Sequence, residues 1–354
     1  GSVDSAVRSL FVEMGRFRVL EVRKRFENDG DLSRFIDSIR ELKEKDTEIP
    51  EEVSYGHVIF TESDWEQLIS SFVVVVPELV SYGLERVRDD DGERKGYECD
   101  LRTSYSIIDA RTMEVVGKPT IDVKNFDEDR EDAINDAVDQ TMTRLEFELK
   151  KIPMFTIKTG VLEVRGGKIT LEKGRNMGIY PGFEFEIISY DELSNGLARD
   201  RSVGLVVVSD VFEELSDATV IYGTPREGDQ LKEIPRLGSD GIVYLHALVN
   251  PFNTDVIEIN GALLGLKGIV TRGFYNFRPI VGIEFPLGGL NVYDGLLANV
   301  FVGGEINIYM GRLQISPTLE GVFGLYVPRT EDEDASAAHI GAKGYLAINY
   351  AITR

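Results

Sequence analysis

The sequence is poor in the residues that most often build metal sites and covalent cross-links. It has a single cysteine, Cys99, and only three histidines in 354 residues. One cysteine excludes an intrachain disulfide and a thiolate metal cluster. The histidines, His57, His246 and His339, lie too far apart for a His-x-x-x-His pair. These shortages argue against most metal-dependent and thiol-dependent enzymes.

Long apolar runs and positive charge are also scarce. No run reaches the roughly 18–20 apolar residues that a membrane-spanning helix needs. The formal net charge is −22, with 39 Lys and Arg against 61 Asp and Glu. A protein that grips phosphate needs clustered cations, so we expect no nucleic-acid partner. The opening Gly1-Ser2 is typical of a cloning scar, so we expect the native start to lie upstream.

The chain is too long for one ordinary domain, and its composition changes along its length. The last third is poor in charge of either sign and rich in glycine. Prolines at Pro153 and Pro235 mark two joints, since proline disfavours helix in the residue before it. We therefore predict three domains, over residues 1–151, 152–235 and 236–354.

The first third has the patterns of a mixed α/β layer. Apolar residues at helical spacing predict one helix over residues 3–14 and a second that carries Leu32, Phe35, Ile36, Ile39 and Leu42. The capping box Ser63–Glu66 predicts the start of a third helix. The β-branched run Phe72–Val76 predicts a strand buried on both faces.

Two further β segments follow, over residues 78–87 and 97–109, and residues 89–93 connect them. This connection contains three aspartates before a glycine, which could suggest calcium. It lacks the alternating carboxylates and the distal glutamate of an EF-hand loop. We therefore predict a solvated hairpin loop.

The order of these elements resembles the N-terminal domain of the TolB and CsgG (curli-secretion) superfamily. The resemblance rests on Gly15–Glu21, which is similar to the family's "GRF-V-E" strand, on Phe72–Pro77, and on Ser106–Val116, which is similar to a strand ending in "D-x-x-T-G-E-V". Met113 replaces the usual glycine, and the family's first strand, expected before Val3, is missing. The resemblance covers roughly residues 3–151 and implies a scaffold of the bacterial envelope without catalytic residues.

The middle third predicts a small closed barrel, because short alternating strands are separated by glycines over residues 156–233. The pair Gly166-Gly167 indicates a tight hairpin, and Gly174–Gly182 indicates a diverging turn. No Gly-Lys-Ser or Gly-Lys-Thr follows, which argues against a phosphate-binding loop. The pattern, including Gly228-Asp229, resembles the SH3-like C-terminal domain of flagellar assembly protein T. That resemblance implies an architectural role.

The last third predicts long antiparallel strands with one apolar face and one face of glycine, amide and charge. The alternation is clearest over residues 275–285, 298–310, 313–327 and 338–352. Two structures have this pattern. A soluble barrel or sandwich buries the apolar face, whereas an outer-membrane barrel turns it outward to lipid.

Three features favour the membrane barrel. The alternation persists for about ten or more residues, the length of a tilted membrane strand. The polar face mixes glycine with isolated charges, and Tyr309, Tyr326 and Tyr350 lie near strand ends, where aromatic girdles form. Two features oppose it: about six strands are clear, and the chain ends without a terminal aromatic residue. Residues 254–272 could add two strands, since Asn260-Gly261 is a strong hairpin signal.

In the membrane alternative, one row of residues faces lipid and the other row faces the interior. The lipid-facing candidates are Val300, Val302, Ile306, Ile308, Ile340, Leu346 and Ile348. The charged interior candidates are Arg278, Glu284, Glu305, Glu320 and Lys343, with Asn299 and Asn349 beside them. Arg278 and Lys343 are the only cations that this pattern places inside, so we expect at least one of them to contact a glutamate. His246, His339 and residues 331–334 lack metal-site spacing.

These patterns together predict a non-enzymatic scaffold of the envelope of a diderm bacterium, in the periplasm and outer membrane. A flagellar or secretion apparatus is the expected setting. Envelope proteins are the expected partners, with a homo-oligomeric ring as one arrangement, and we expect no cofactor. The alternative is a periplasmic regulator of peptidoglycan synthesis with a soluble C-terminal β domain. A glycosidase would need two paired carboxylates, and no motif nominates them.

Overall fold

The computed structural model describes residues 2–15, 17, 19, 30–31, 34–35, 37–38, 41, 52–55, 58–61, 73–89, 92–109, 112, 114–192, 198–249, 259–286, 295–328 and 337–352. It is mostly β, with 60% strand and 17% helix, and over the described residues a leading α domain is not evident, although the sequence predicted an α/β layer in the first third. The chain forms two compact units, residues 1–156 and 157–354. The second unit contains most of the second predicted domain and all of the third, and the division into three remains a prediction.

The first unit packs helices on a four-stranded antiparallel sheet. Its elements are α1 (Ser2–Glu13), β1 (Glu52–Tyr55), β2 (Val58–Thr61), β3 (Val73–Arg88), β4 (Arg94–Asp109), β5 (Val115–Gly117), β6 (Thr120–Asp127) and α2 (Arg130–Lys151). Strands β1 and β2 pair with each other in a separate two-stranded sheet. In the four-stranded sheet, β4 is central, because it pairs with β3 on one side and with β5 and β6 on the other. The core joins the apolar stripes of both helices to this sheet through Leu10, Phe11, Leu101, Val123, Leu145 and Leu149.

The sequence analysis was wrong about β3. It predicted a strand buried on both faces over Phe72–Val76 and a separate segment after it. The structure has one strand over Val73–Arg88, and its second half is largely exposed. Strand β3 pairs with β4 alone among the described strands, so it lies at an edge of the described sheet. An edge tolerates Pro77, because the missing N–H would face no partner strand.

Several predictions for the first unit lie outside the described residues. These are the capping box Ser63–Glu66 and most of the helix that carries Phe35. Phe35 itself is helical and buried. The aspartates Asp90 and Asp91 of the predicted loop are also outside the described residues.

Cys99 lies on β4 inside the core of the first unit, and its side chain is 0% exposed. Burial, together with the nearby Asp100 carboxylate, raises the pKa of its thiol. The reactive thiolate is therefore scarce as well as inaccessible. We expect Ellman's reagent to label native protein more than about a hundredfold more slowly than denaturant-unfolded protein, because labelling requires the unit to open.

The control for this labelling is a Cys99→Ala chain with Val115→Cys, which places a thiol at a position that is 55% exposed. That thiol should react at the rate of the unfolded chain. Rapid stoichiometric labelling of native Cys99 would contradict the packing of β4.

The second unit begins with a closed barrel of six strands, which confirms the small closed barrel predicted for the middle third. Its strands are β7 (Lys158–Arg165), β8 (Lys168–Leu171), β9 (Glu184–Glu192), β10 (Ala198–Val211), β11 (Ser216–Tyr222) and β12 (Gln230–Glu233). The spatial order is β10-β11-β8-β7-β12-β9. The core contains Val161, Leu171, Phe185, Ile187, Val206 and Leu231.

The remainder of the second unit is a seven-stranded antiparallel sheet. Its strands are β13 (Ser239–Val249), β14 (Ile259–Val270), β15 (Phe277–Pro286), β16 (Gly295–Ile306), β17 (Ile308–Met310), β18 (Leu313–Pro328) and β19 (Ala337–Tyr350). The sequence predicted a closed barrel here, and the structure corrects this: the sheet is a curled half-barrel. Among the described strands, β13 pairs only with β14 and β19 only with β18, so their hydrogen bonds do not form a closed ring.

The expected hairpin turn at Asn260-Gly261 is also wrong. Both residues lie inside β14, in the part of the strand that pairs with β13, since the pairing with β15 begins only at Leu263. The pairing runs from Leu248 with Gly261 directly to Val249 with Ile259, so Asn260 is the extra residue of a β-bulge. Pairing with β13 has overridden the local turn preference.

The closed barrel packs against one end of this sheet. Gly182 has a left-handed φ of 85°, and a Cβ there would lie 2.4 Å from the carbonyl oxygen of Thr271. The N–H of Gly273 donates to the carbonyl of Pro181 at 2.9 Å. Arg236 forms ion pairs with both Glu184 and Asp240. We call this end of the sheet, which includes residues 271–276 and 307–312, the barrel end.

Candidate functional site: the two faces of the C-terminal sheet

The pleat of the C-terminal sheet separates its side chains into two rows, because successive residues of a strand point to opposite faces. The register keeps each row continuous across strands. Glu284 of β15 faces Asn299 of β16, and Glu320 of β18 faces Lys343 of β19. The concave face of the curled sheet is called the interior below, and the convex face is called the outer face.

The outer face is apolar and exposed. All seven residues that the sequence proposed as lipid-facing lie on it, with exposures between 49% for Ile308 and 87% for Ile340. Further large apolar residues accompany them, namely Val243, Leu245, Leu266, Val281, Leu319 and Phe323. Soluble proteins rarely expose an apolar face of this extent unless something covers it.

The interior buries charge. The exposed fractions of Glu284, Glu305, Glu320 and Arg278 are 2%, 5%, 1% and 6%. Asn299 is also buried, whereas Asn349 is exposed although it belongs to the interior row. Asn349 lies on the terminal strand β19, where no further described strand covers it. The sheet therefore exposes many large apolar residues on its outer face and buries its charges, together with Ile269, Ile280 and Phe301, inside.

Lys343 connects the two buried glutamates. Its Nζ lies 2.7 Å from Oε1 of Glu284 and 2.8 Å from Oε2 of Glu320. Tyr244 donates to Glu284 at 2.7 Å, and Tyr345 donates to Glu320 at 2.7 Å. Each carboxylate is thus held by one ammonium group and one hydroxyl group. Such pairing is what a buried charge requires.

Lys267 is a third interior cation, and the sequence analysis missed it. It is 8% exposed, and its Nζ donates to the hydroxyl of Tyr345 at 3.1 Å. The alternation of Leu264, Gly265, Leu266 and Lys267 could have indicated it. The expected turn at residues 260–261 obscured that alternation.

Arg278 does not meet a glutamate in the described contacts. Its guanidinium donates to the hydroxyl of Tyr309 at 2.7 Å, and the ring of Tyr309 stacks on Tyr275 at 5.4 Å between centroids. Tyr309 is therefore an interior residue near the barrel end, which corrects its assignment to an outer aromatic girdle. The hydroxyl of Tyr275 lies 2.6 Å from Oγ1 of Thr219 in the closed barrel.

Glycines make room for large interior side chains. A Cβ on Gly282 would lie 2.2 Å from the ring of Phe301, and one on Gly265 would lie 2.1 Å from the ring of Tyr244. Phe301 is buried together with Ile269 and Ile280, and Lys343 lies over its ring at 4.4 Å. Side chains therefore fill the middle of the interior.

The two histidines of this region differ. Nδ1 of His246 lies 3.3 Å from Oε1 of Glu284, so it belongs to the interior network. His339 lies on the terminal strand β19, faces Gly324 of β18 and is exposed. Residues 331–334 lie outside the described residues.

Over the described residues, no group of three or more His, Cys, Asp or Glu side chains is arranged to hold a metal ion. In the same part of the chain, no helix is both long enough and apolar enough to cross a membrane. No protein-family model matches the chain, and no curated protein shows significant sequence similarity to it. The geometry of the two sheet faces is therefore the basis for a functional proposal.

Proposed function

We propose that this chain is a non-enzymatic scaffold of the envelope of a diderm bacterium, anchored in the outer membrane by its C-terminal sheet. The observation that carries the proposal is the inverted distribution of side chains. Val302 and Ile348 are about two-thirds exposed, while Glu284 and Glu320 are almost fully buried. Water favours the opposite arrangement, and a hydrocarbon surrounding favours this one.

Strand length and end residues support the membrane interpretation. Strands β14, β15, β16, β18 and β19 have 10 to 16 residues, as tilted membrane strands do. Exposed aromatic residues lie at both ends of the outer face. Phe277 and Tyr350 are at the barrel end, and Phe285 is at the other end. Aromatic side chains are enriched at both surfaces of a bilayer.

The connections between strands support an orientation. At the barrel end the strands are joined by residues 271–276, Asn307 and residues 311–312. At the other end they are joined by the longer segments 250–258, 287–294 and 329–336. Outer-membrane barrels have short periplasmic turns and longer external loops. We therefore assign the barrel end, and the closed barrel packed on it, to the periplasm.

The filled interior favours an anchor over a pore. Phe301, Lys343 and Tyr244 occupy the middle of the concave side, and glycines bring the strands close to them. The similarity of residues 3–151 to the TolB and CsgG superfamily, and of residues 156–233 to the SH3-like domain of flagellar assembly protein T, supplies the scaffold part of the proposal. A flagellar or secretion apparatus is the proposed setting.

Flotation with neutral phosphatidylcholine vesicles tests the proposal. The refolded chain should float with the vesicles and remain bound in 1 M salt, because apolar burial rather than charge holds it. The net charge of −22 makes electrostatic attraction to a neutral bilayer a poor explanation for binding. A chain that stays at the bottom of the gradient, folded and monodisperse without detergent, would refute membrane anchoring.

A further inference from the structure

We infer that the half-barrel is completed by a second copy of the chain, with β19 of one copy paired to β13 of the next. This inference rests on the proposed membrane location. It starts from the two terminal strands, which carry the free edges of the sheet in the described part of the chain. Strand β13 has 11 residues and β19 has 14 residues.

Free edges of this length do not suit a bilayer. Each unpaired backbone N–H or C=O in hydrocarbon is costly, which is why membrane sheets close into rings. The outer faces of both terminal strands are apolar. Leu245 of β13 and Ile340 of β19 are strongly exposed. The apolar surface therefore continues to the edges, and lipid would surround them.

The terminal strands also lack the usual protection against pairing. Native edge strands are commonly guarded by outward lysine or by proline. Strand β13 contains neither, and the one lysine of β19, Lys343, points inward to Glu284 and Glu320. Nothing in the described edges opposes a partner strand.

Strand number and direction fit a second copy. Each of the six long strands runs antiparallel to its neighbour, so β13 and β19 run in opposite directions. Placing β19 of one copy beside β13 of another continues the antiparallel order. Single-chain membrane barrels have roughly eight or more strands. One copy supplies six long strands, and six from each of two copies make twelve.

The exposure of interior-row residues on β19 also supports pairing with a second copy. His339, Gly341 and Asn349 belong to the interior row and are nevertheless exposed. A strand at the free edge of β19 would cover them. The competing arrangement is closure within one chain, since Tyr345 of β19 already contacts Lys267 of β14 at 3.1 Å.

Disulfide cross-linking between differently sized chains separates these arrangements. Both chains carry Cys99→Ala. A tagged chain carries Leu245→Cys on β13, and an untagged chain carries Ile340→Cys, Ala342→Cys or Leu346→Cys on β19, which samples the register. Two cysteines form a disulfide only when their Cβ atoms are within about 4.5 Å. We therefore expect a mixed dimer at one of the β19 positions. The control Val302→Cys, on the central strand β16, should give at least about tenfold less mixed dimer.

A chain that carries both Leu245→Cys and the matching β19 cysteine tests whether β13 and β19 instead pair within one chain. Loss of both thiols without any dimer would show closure within one chain and overturn the inference. Absence of the mixed dimer at all three positions would also overturn it.

Flotation of the same samples separates this inference from the proposed function. Chains that float without a mixed dimer retain the membrane anchor and lose the pairing between copies. A mixed dimer that forms without flotation refutes the anchor alone.

Discussion

Replacing Lys343 by Met is expected to lower the free energy of unfolding of the second unit by about 3–5 kcal/mol, because it leaves buried carboxylates without their counter-charge. Lys343 is the residue whose ammonium group contacts both Glu284 and Glu320 in the described structure. After the substitution, each carboxylate retains its tyrosine hydroxyl as a donor. His246, 3.3 Å from Glu284, is the other basic group beside that carboxylate. Urea unfolding of the full chain in detergent, followed by circular dichroism, measures the change.

Two further variants make this result specific. Lys168→Met removes an exposed lysine from the closed barrel and should change stability by less than about 0.5 kcal/mol. Adding Glu284→Gln and Glu320→Gln to Lys343→Met should recover most of the loss, since the two carboxylates that Lys343 paired no longer carry charge. A loss below about 1 kcal/mol in Lys343→Met would mean that water reaches the network and that the interior is wet.

Replacing Val302 by Arg is expected to cost about 2–4 kcal/mol when the chain is folded in vesicles, the cost of a cation near the bilayer midplane. Val302 lies near the middle of the outer face, opposite Val281 and Gly321. Ile348 pairs with Ile315 close to the barrel end, so Ile348→Arg should cost less than Val302→Arg. Met310→Arg, near the barrel end, should cost about 0–1 kcal/mol, since the penalty falls toward the membrane surface.

The same substitution gives a different result for a protein in water. Val302 is already 67% exposed, so an arginine there should change stability by less than about 0.5 kcal/mol if water covers the outer face. Val115→Arg in the first unit, at a position that is 55% exposed, is the matched control. Equal small effects at Val302, Met310 and Val115 would exclude the bilayer as the surrounding of this face.

The two rows of the C-terminal strands were predictable from the sequence. Alternation with a period of two is a local property of an extended backbone, so residues that share a face, such as Val300 with Val302, are known without the fold. The same local logic identified the closed barrel from its glycines and short strands. It failed at Asn260-Gly261, where pairing with β13 decided the conformation, and at β3, whose edge position tolerates Pro77.

The sequence by itself therefore determined which side chains lie together on each face, and the tertiary structure decided which face is buried. The sequence left both directions open for Val302 and Glu320. The direction in which the sheet curls decides which of these two side chains is buried. That curvature depends on the packing of strands that are far apart in the chain. The same holds for the link from Lys343 on β19 to Glu284 on β15, since 59 residues separate them. A contact at that separation depends on the register of every strand between, which no local pattern encodes.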